Sequence, residues 1–415
     1  MPELFRNRVF LVVAGADLLQ QAGIWIRNMA LLFYIMEQTN NNPAAVALLT
    51  TFEYLPIFVF SLVGGTFADR WNPKRTVVIG DALSAASVAA ILALVLGGMW
   101  QAAFAATIVS AVVSQFSQPA SAVLFKRHVP ERHVEAAVGF TQSMTAVFMI
   151  AGPLLGTFVY TRFGVETSLA ALVAVFASAS LAQLLLPASP RKRDGGEKTS
   201  PIADLREGFG YVAGHRTLKT AAVMFLLIGL SAGIVAPLDV FVVMERLGLE
   251  KEAVQWFAML EGVGLLVGGG LAAGLSGRVD RHRKRIVPWT LAVFGIGTFV
   301  EVLSQWPVLT GVVRLLSGVA MTFLQVVLGA LMIKEVEEAY VGRTNGIILP
   351  LMMGGLLVGT GLSGQLVQQA TLFGAYGLAA ALLLLCALVG ARLRHAAPAS
   401  SPSAGGGAAE GQRPA

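Results

Sequence analysis

Ionisable side chains interrupt otherwise apolar runs at Asp17, Arg27, Glu53, Asp239, Glu261 and Arg314, and again at Glu301 near the end of a run. In hydrocarbon each costs several kcal/mol unless it is paired or hydrated. Such groups suit two kinds of chemistry. One is a static ion pair. The other is reversible protonation of a carboxylate whose proton affinity follows its hydration and a nearby arginine. Arg27 and Glu53 fall at similar depth on adjacent runs and can pair; Asp239, Glu261 and Arg314 share a depth further along the chain. Asp17 lies about 15 Å along the same helix from Arg27. That arginine cannot neutralise it directly, so Asp17 is the acid expected to face a ligand. Asp81, early in the third run, is expected to serve arginines of the preceding loop.

Other chemistries lack their residues. Gly229-Leu230-Ser231-Ala232-Gly233 fits the nucleophile-elbow pattern, but it sits inside an apolar helix and not at a strand-to-helix turn. No H-E-x-x-H, phosphate-binding loop or paired-cysteine metal site occurs, and the five histidines show no metal spacing. The one cysteine, Cys386, lies within an apolar run, so no disulfide framework is expected. No cofactor and no metal are expected.

The elements that position these acids are membrane spans. Only 13% of the 415 residues are charged and 55% are hydrophobic, and the mean hydropathy is +0.70. A soluble surface needs far more charge, and the period-2 pattern of an outer-membrane barrel is missing. Apolar runs long enough to cross a ~30 Å hydrocarbon core recur throughout. About twelve spans are predicted at 1.5 Å per residue, near 9–36, 44–67, 76–97, 101–124, 135–160, 166–187, 217–244, 252–275, 286–305, 309–333, 343–369 and 373–393. Arg6 and Arg8 ahead of the first run look like a signal peptide, but that run is too long, contains Arg27 and lacks a cleavage site. The net charge of +6 could suggest nucleic acid. Cation-rich cytoplasmic loops explain it better, so no nucleic-acid partner is expected.

Polar residues align on three spans. At 100° per residue, Asp17, Gln20, Gln21, Arg27 and Asn28 fall within an arc of about 120° on the first. Thr107, Ser110, Ser114 and Gln118 form a stripe on the fourth, and Arg314, Ser317, Met321 and Gln325 on the tenth. Such stripes face water or protein, not lipid. Pro56, Pro153, Pro237 and Pro350 are expected to kink their spans. Gly268, Gly269, Gly270, Gly274, Gly354, Gly355 and Gly359 are expected to allow close helix contact.

Cations set an orientation. With the N-terminus in the cytoplasm, nearly all loop lysines and arginines fall on that side, and Arg162, Arg246 and Lys251 fall opposite. Both termini are therefore expected in the cytoplasm. The polar stretch 188–216 separates a six-span unit at 1–187 from a second at 217–394, and an Ala/Pro/Ser/Gly-rich tail at 395–415 is expected to be disordered. The halves repeat: Asp69-Arg70…Lys74-Arg75 after the second span is echoed by Asp280-Arg281-His282-Arg283-Lys284-Arg285 after the eighth.

Gly65-x-x-Ala68-Asp69-Arg70-x-x-x-Lys74-Arg75 resembles the signature between helices two and three of the major facilitator superfamily. The Asp-Arg-Trp form is similar to its drug-efflux branch, which includes macrolide exporters and an enterobactin exporter. Phe67 stands where leucine is usual and Asn72 where glycine is usual; asparagine tolerates the left-handed backbone a glycine would adopt there. Gly152-Pro153-Leu154-Leu155-Gly156 is similar to the antiporter motif of exporters, with Thr157 replacing a final glycine. The helix-four arginine motif is absent; a like string, Arg314-Leu315-Leu316-Ser317-Gly318, occurs in the tenth span.

The resemblance implies two six-helix bundles around a central cavity lined by spans one, four, seven and ten. It also implies a cytoplasmic latch built from Gly65, Asp69, Arg70, Lys74, Arg75, Asp280 and Arg281. The expected function is export of amphiphilic small molecules in exchange for protons, by a monomer in the cell membrane bilayer, with alternating access by rocking halves. At least one of Asp17, Asp239 and Glu261 is expected to be essential for coupling, with Gln21, Arg27, Glu53 and Arg314 beside them. A siderophore, lipid-like or nutrient substrate stays open, as does a transport-inactive scaffold or sensor; no enzymatic activity is expected.

Overall fold

The computed structural model describes residues 6–68, 72–187, 201–336 and 340–391. Segments 61–68, 201–205, 276–285 and 331–335, and scattered positions in 114–138 and 341–345, are described as backbone only. The tail expected to be disordered lies outside the described residues.

Every regular element among them is helical. The first four helices are α1 (Arg8–Gln38), α2 (Pro43–Ala68), α3 (Pro73–Leu96) and α4 (Ala102–His128). They are followed by α5 (Glu131–Leu184), a short connecting α6 (Pro201–Gly214) and α7 (Arg216–Val235). Then come α8 (Asp239–Phe241), α9 (Val254–Gly274), α10 (Ser276–Leu303), α11 (Pro307–Glu335) and α12 (Val341–Gly390). Local chemistry places several starts. Pro43, Pro73, Pro201 and Pro307 open their helices, where a missing N–H costs nothing. Asn7 caps α1 by accepting from the amides of Val9 and Phe10 at 2.9 and 3.1 Å. Asn72 does the same for α3, accepting from Arg75 N at 3.3 Å. Its backbone is extended (φ −73°, ψ 115°), not left-handed. Asparagine serves in this turn as a helix cap, a role glycine fills less well.

Nine stretches among the described residues are long and apolar enough to cross a membrane. Two of them, Gly139–Leu184 and Gly346–Gly390, run 46 and 45 residues. At 1.5 Å per residue each is about twice the thickness of the hydrocarbon. Each is broken by one residue with positive φ, Gly164 (φ 76°) in α5 and Thr371 (φ 62°) in α12. Each therefore supplies two spans, five and six from α5 and eleven and twelve from α12. With α4, whose apolar part Ala102–Val113 is short, the fold has twelve spans. Pro56, Pro153 and Pro350 lie inside helices. Pro237 instead turns the end of span seven into a 3-10 turn, the short α8 and a π-turn (Val242–Arg246).

Packing repeats between the halves. α1 lies on α5 as α7 lies on α12; α2 on α4 as α9 on α11; α3 on α4 and α5 as α10 on α11 and α12. The halves meet through α2 against α12 and α5 against α9. One apolar cluster draws on both halves, joining Phe33 and Met36 of α1 to Leu238, Phe241, Phe257 and Tyr376. It lies toward the face opposite the chain start. None of the other described clusters joins the two halves, though one ties Val212 of the connecting α6 to the second.

Candidate functional site

The intramembrane charges gather into two groups. In the first half Arg27 of α1 is almost fully buried, and its Nη2 donates to Glu53 Oε1 of α2 at 3.0 Å. Its Nε and Nη2 also donate to Asn28 Oδ1 at 3.0 and 2.7 Å. One acid answers one base.

The second group is built on Arg314 of α11. Its Nη1 and Nη2 grip the Asp239 carboxylate at 3.1 and 2.6 Å, a bidentate fork. Nη1 also donates to Glu261 Oε2 of α9 at 3.0 Å, and Nε to Glu301 Oε1 of α10 at 2.5 Å. Nη2 contacts Glu301 as well. A guanidinium has five N–H donors, and these contacts use them all. Tyr376 of span twelve donates its hydroxyl to Asp239 Oδ1 at 3.1 Å. The irregular backbone after Pro237 is what presents Asp239 here, since a π-turn and a proline break reorient side chains that a straight helix would point elsewhere. Three carboxylates around one cation leave a formal excess of two negative charges when all are ionised. In a low-dielectric site that excess must be balanced by protons or by another cation.

Between the two groups lies a cavity of about 220 Å³. α1, α2 and α4 wall it on one side; span seven and α9 wall it on the other. Glu53 and Asp239 both line it, together with Asn28, Thr50, Tyr54, Thr107 and Gln255. The rest of the wall is largely apolar.

The remaining sequence candidates fall elsewhere. The polar face of α1 does not act as one strip. Gln20 donates to both Asp81 oxygens at 2.9 and 2.8 Å, Gln21 donates to Thr145 of α5 at 3.3 Å, and Arg27 turns to α2. Asp17 is half-buried, close enough to Asp81 for their charges to repel. Asp81, expected to serve loop arginines, is hydrogen-bonded by Gln20 and Gln183; Arg70 of that loop lies outside the described residues. On α4, Thr107 reaches the cavity and Ser110 is buried; the side chains of Ser114 and Gln118 are not among those described.

The antiporter-like motif is a packing surface. A Cβ at Gly152 would sit 2.3 Å from the Trp25 ring, and one at Gly156 would sit 2.4 Å from Trp25 O. Pro153 between them lies within the helix. Of the other glycines, Gly268, Gly354, Gly355 and Gly359 make close approaches, whereas Gly270 and Gly274 face open space. The nucleophile-elbow look-alike is also packing: Gly229 and Gly233 lie against carbonyls of span eleven, and Ser231 Oγ bonds Ala379 O at 3.0 Å.

Of the expected latch, Lys74 Nζ donates to Leu184 O at 2.9 Å and to Leu186 O, a contact within the first half. Arg75 begins α3. Gly65 lies in the last turns of α2; Asp69 and Arg70, and the side chains of Asp280 and Arg281, lie outside the described residues. On the opposite face Lys251 Nζ bonds Glu37 Oε1 at 2.6 Å, tying the two halves together there.

Tyr376 and the Gln20–Asp81 pair had not been singled out. Tyr376 is a lone hydroxyl in an apolar run, which no spacing rule marks.

A model of the Major Facilitator Superfamily matches residues 13–278 and 221–414. An uncharacterized MFS-type transporter, YkuC of Bacillus subtilis, is 28% identical over 371 residues, covering 85% of this chain and 84% of that one. Macrolide efflux protein A of Streptococcus pyogenes is 22% identical over 88% of this chain and 90% of its own. The multidrug efflux pump Tap of Mycobacterium tuberculosis is 24% identical over 94% of each. Among solved structures, the nucleoside transporter NupG superposes with a TM-score of 0.72 at 15% identity, over 93% of this chain and 97% of that one.

Proposed function

The chain belongs to the Major Facilitator Superfamily, and from that premise we propose that it exports amphiphilic small molecules in exchange for protons. That it is a multi-pass membrane transporter of small molecules follows from the family. The finer reading places it in the cell membrane with both termini in the cytoplasm, following the asymmetry of its loop cations. Two six-span halves, divided by residues 188–216, rock about the cavity. The Gly65–Arg75 loop and Asp280–Arg281 latch the cytoplasmic face.

The observation that carries the proposal is the Arg314 group. Three acids compete for one saturated guanidinium at the edge of a cavity between the halves. Such a group changes its proton count at small cost when a cation or water arrives, which a balanced pair does not. The direction of transport is supported by relatives named as efflux proteins, and by glycines at the positions of the antiporter-like motif that hold α1 against α5.

The test uses proteoliposomes with two fluorescent probes, cationic ethidium and neutral Nile red. Vesicles acidified inside should accumulate at least one of them, and collapse of the gradient should stop it. Asp17→Asn, Asp239→Asn, Glu261→Gln and Glu301→Gln are compared singly. At least one should lose gradient-driven accumulation while keeping gradient-free counterflow. Accumulation that ignores the gradient, or four variants that all behave as the parent, would refute proton coupling. Absence of counterflow for every probe would favour a scaffold.

A further inference from the structure

The cavity does not treat charge evenly. Glu53 and Asp239 line it; Arg27 and Arg314 do not. The side chains of Glu53 and Asp239 are 27% and 30% exposed, whereas those of the two arginines are 5% and 9%. Each guanidinium thus grips its acid from behind, inside the protein, and the carboxylate oxygens are what the cavity meets. Both signs of charge are present in the neighbourhood, yet one sign faces inward. The described ion pair of Glu53 uses Oε1 alone, and each carboxylate oxygen has two lone pairs, so both acids retain acceptor capacity toward the cavity.

A second observation is independent of the acids. Thr107 of α4 lines the same cavity, is 3% exposed, and its Oγ1 has no hydrogen-bond partner among the described residues. A buried hydroxyl left this way costs about 1–3 kcal/mol, a cost removed by a ligand that supplies a donor. The cavity is also lined by Leu31, Leu32, Val46, Leu49, Val240 and Val254.

We infer that this cavity is the head-group subsite of the transport path and that it seats a protonated amine. Glu53 of one half and Asp239 of the other accept from the ammonium, Thr107 accepts a further N–H, and the attached hydrocarbon lies on the apolar wall. An anionic head would meet two carboxylates and no accessible cation. A hard inorganic cation asks for six or more oxygen ligands, which a wall this apolar does not offer. At about 220 Å³ the space is below the ~300–1,000 Å³ of drug-sized pockets, so it takes a head group and the start of a tail. This inference rests on the transport reading above and narrows its substrate class.

The test is equilibrium binding to the full-length protein in nanodiscs, by calorimetry, with three matched probes: phenylbutylamine, phenylbutanol and phenylbutyrate. Sodium chloride alone is the fourth titrant. The amine should bind about tenfold tighter than the alcohol, the worth of one charge-assisted hydrogen bond, and the carboxylate more weakly than either. Thr107→Val leaves every ion pair in place and should weaken the amine several-fold, and the alcohol, whose hydroxyl donates a weaker uncharged hydrogen bond, by less. Glu53→Gln should remove most of the remaining preference; if it fails to fold, Thr107→Val still decides. Equal binding of amine and alcohol, preference for the carboxylate, saturable binding of sodium alone, an unaffected Thr107→Val variant or no binding at all would each overturn the inference. No gradient is involved, so failure of proton coupling leaves this result untouched. Gradient-driven transport of Nile red alone would sink the inference and spare the transport reading.

Discussion

Glu53 and Glu261 occupy equivalent positions in the two halves, on α2 and α9, and each meets a buried arginine. The arginine comes from a different span in each case. Arg27 reaches Glu53 from span one, and the pair is complete: one acid, one base. Arg314 reaches Glu261 from span ten, and on the way it collects Asp239, Glu301 and the neighbouring Tyr376. The same backbone repeat therefore carries a balanced pair in one half and an over-acidic group in the other. A balanced pair has little to gain from changing its protonation. An over-acidic one is held together only while protons or a cation make up the difference. Under the proposed proton coupling, this asymmetry favours the second half for proton exchange and leaves the first half to shape the cavity wall.

The largest test of this contrast removes each arginine. Arg314→Met strands three acids, one of them Glu301 at 5% exposure, and should cost about 3–5 kcal/mol, the usual result of leaving buried charge unpaired. Arg27→Met strands only Glu53, which can draw on the cavity for hydration, and should cost roughly half as much. Heating each variant in detergent, with the folded fraction read by fluorescence-detected size exclusion, ranks them. If Arg27→Met loses as much as Arg314→Met, the two groups are equally structural and the contrast fails.

Packing differs between the halves in the same sense. Where α7 crosses span eleven, backbone meets backbone: a Cβ at Gly233 would lie 2.1 Å from Leu356 O, and one at Gly359 would lie 2.4 Å from Leu230 O. Where α1 crosses α5, Gly156 likewise meets backbone, at Trp25 O, but the Trp25 indole fills the space over Gly152. A side chain can be replaced and a backbone cannot. Gly233→Ala and Gly152→Ala should each destabilise by about 1–3 kcal/mol through overpacking. Adding Trp25→Leu should restore most of the loss in the Gly152 variant. No side-chain change on span eleven should restore the Gly233 variant. Thermal shifts of the two single variants and the double variant check this, and a double variant no better than Gly152→Ala contradicts it.

Much of this was legible in the chain, and the limit has a physical form. Residue spacing along a helix gives depth, at 1.5 Å per residue. Depth was enough to match Arg27 with Glu53, and Arg314 with Asp239 and Glu261, across separate spans. It was also enough to set twelve spans and their repeat. Depth does not give azimuth. Gln20, Gln21 and Arg27 share an arc on α1, yet they turn to α3, α5 and α2 respectively, because partners from three different helices come within reach of that arc. Tyr376 reaches Asp239 only once span twelve is laid beside span seven. Asn72 shows a further limit: the residue was recognised as a substitute for glycine, but its capping side chain, not its backbone tolerance, is what the turn uses. The Gly-x-Ser-x-Gly string in α7 illustrates the same ambiguity, since glycines four apart mark a helix contact as readily as a strained elbow.

The breaks within α5 and α12 give the finest comparison. Gly164 and Thr371 stand at nearly the same offset as Glu53 and Glu261, and adopt nearly the same backbone, φ 76° and ψ −179° against φ 62° and ψ 178°. That region is almost confined to glycine, and a side chain held there costs on the order of 1–3 kcal/mol. Glycine meets the demand in the first half; a β-branched residue meets it in the second. Thr371→Gly relieves the strain and loosens the unfolded chain, which returns about 0.4–1 kcal/mol of the gain. The net expectation is stabilisation of about 1 kcal/mol, seen as a higher melting temperature with unchanged transport. Gly164→Thr should move the other way by a similar or larger amount. A Thr371→Gly variant that melts lower than the parent would mean that the threonine makes contacts in the second half worth more than its strain, and the two breaks would then be alike in shape alone.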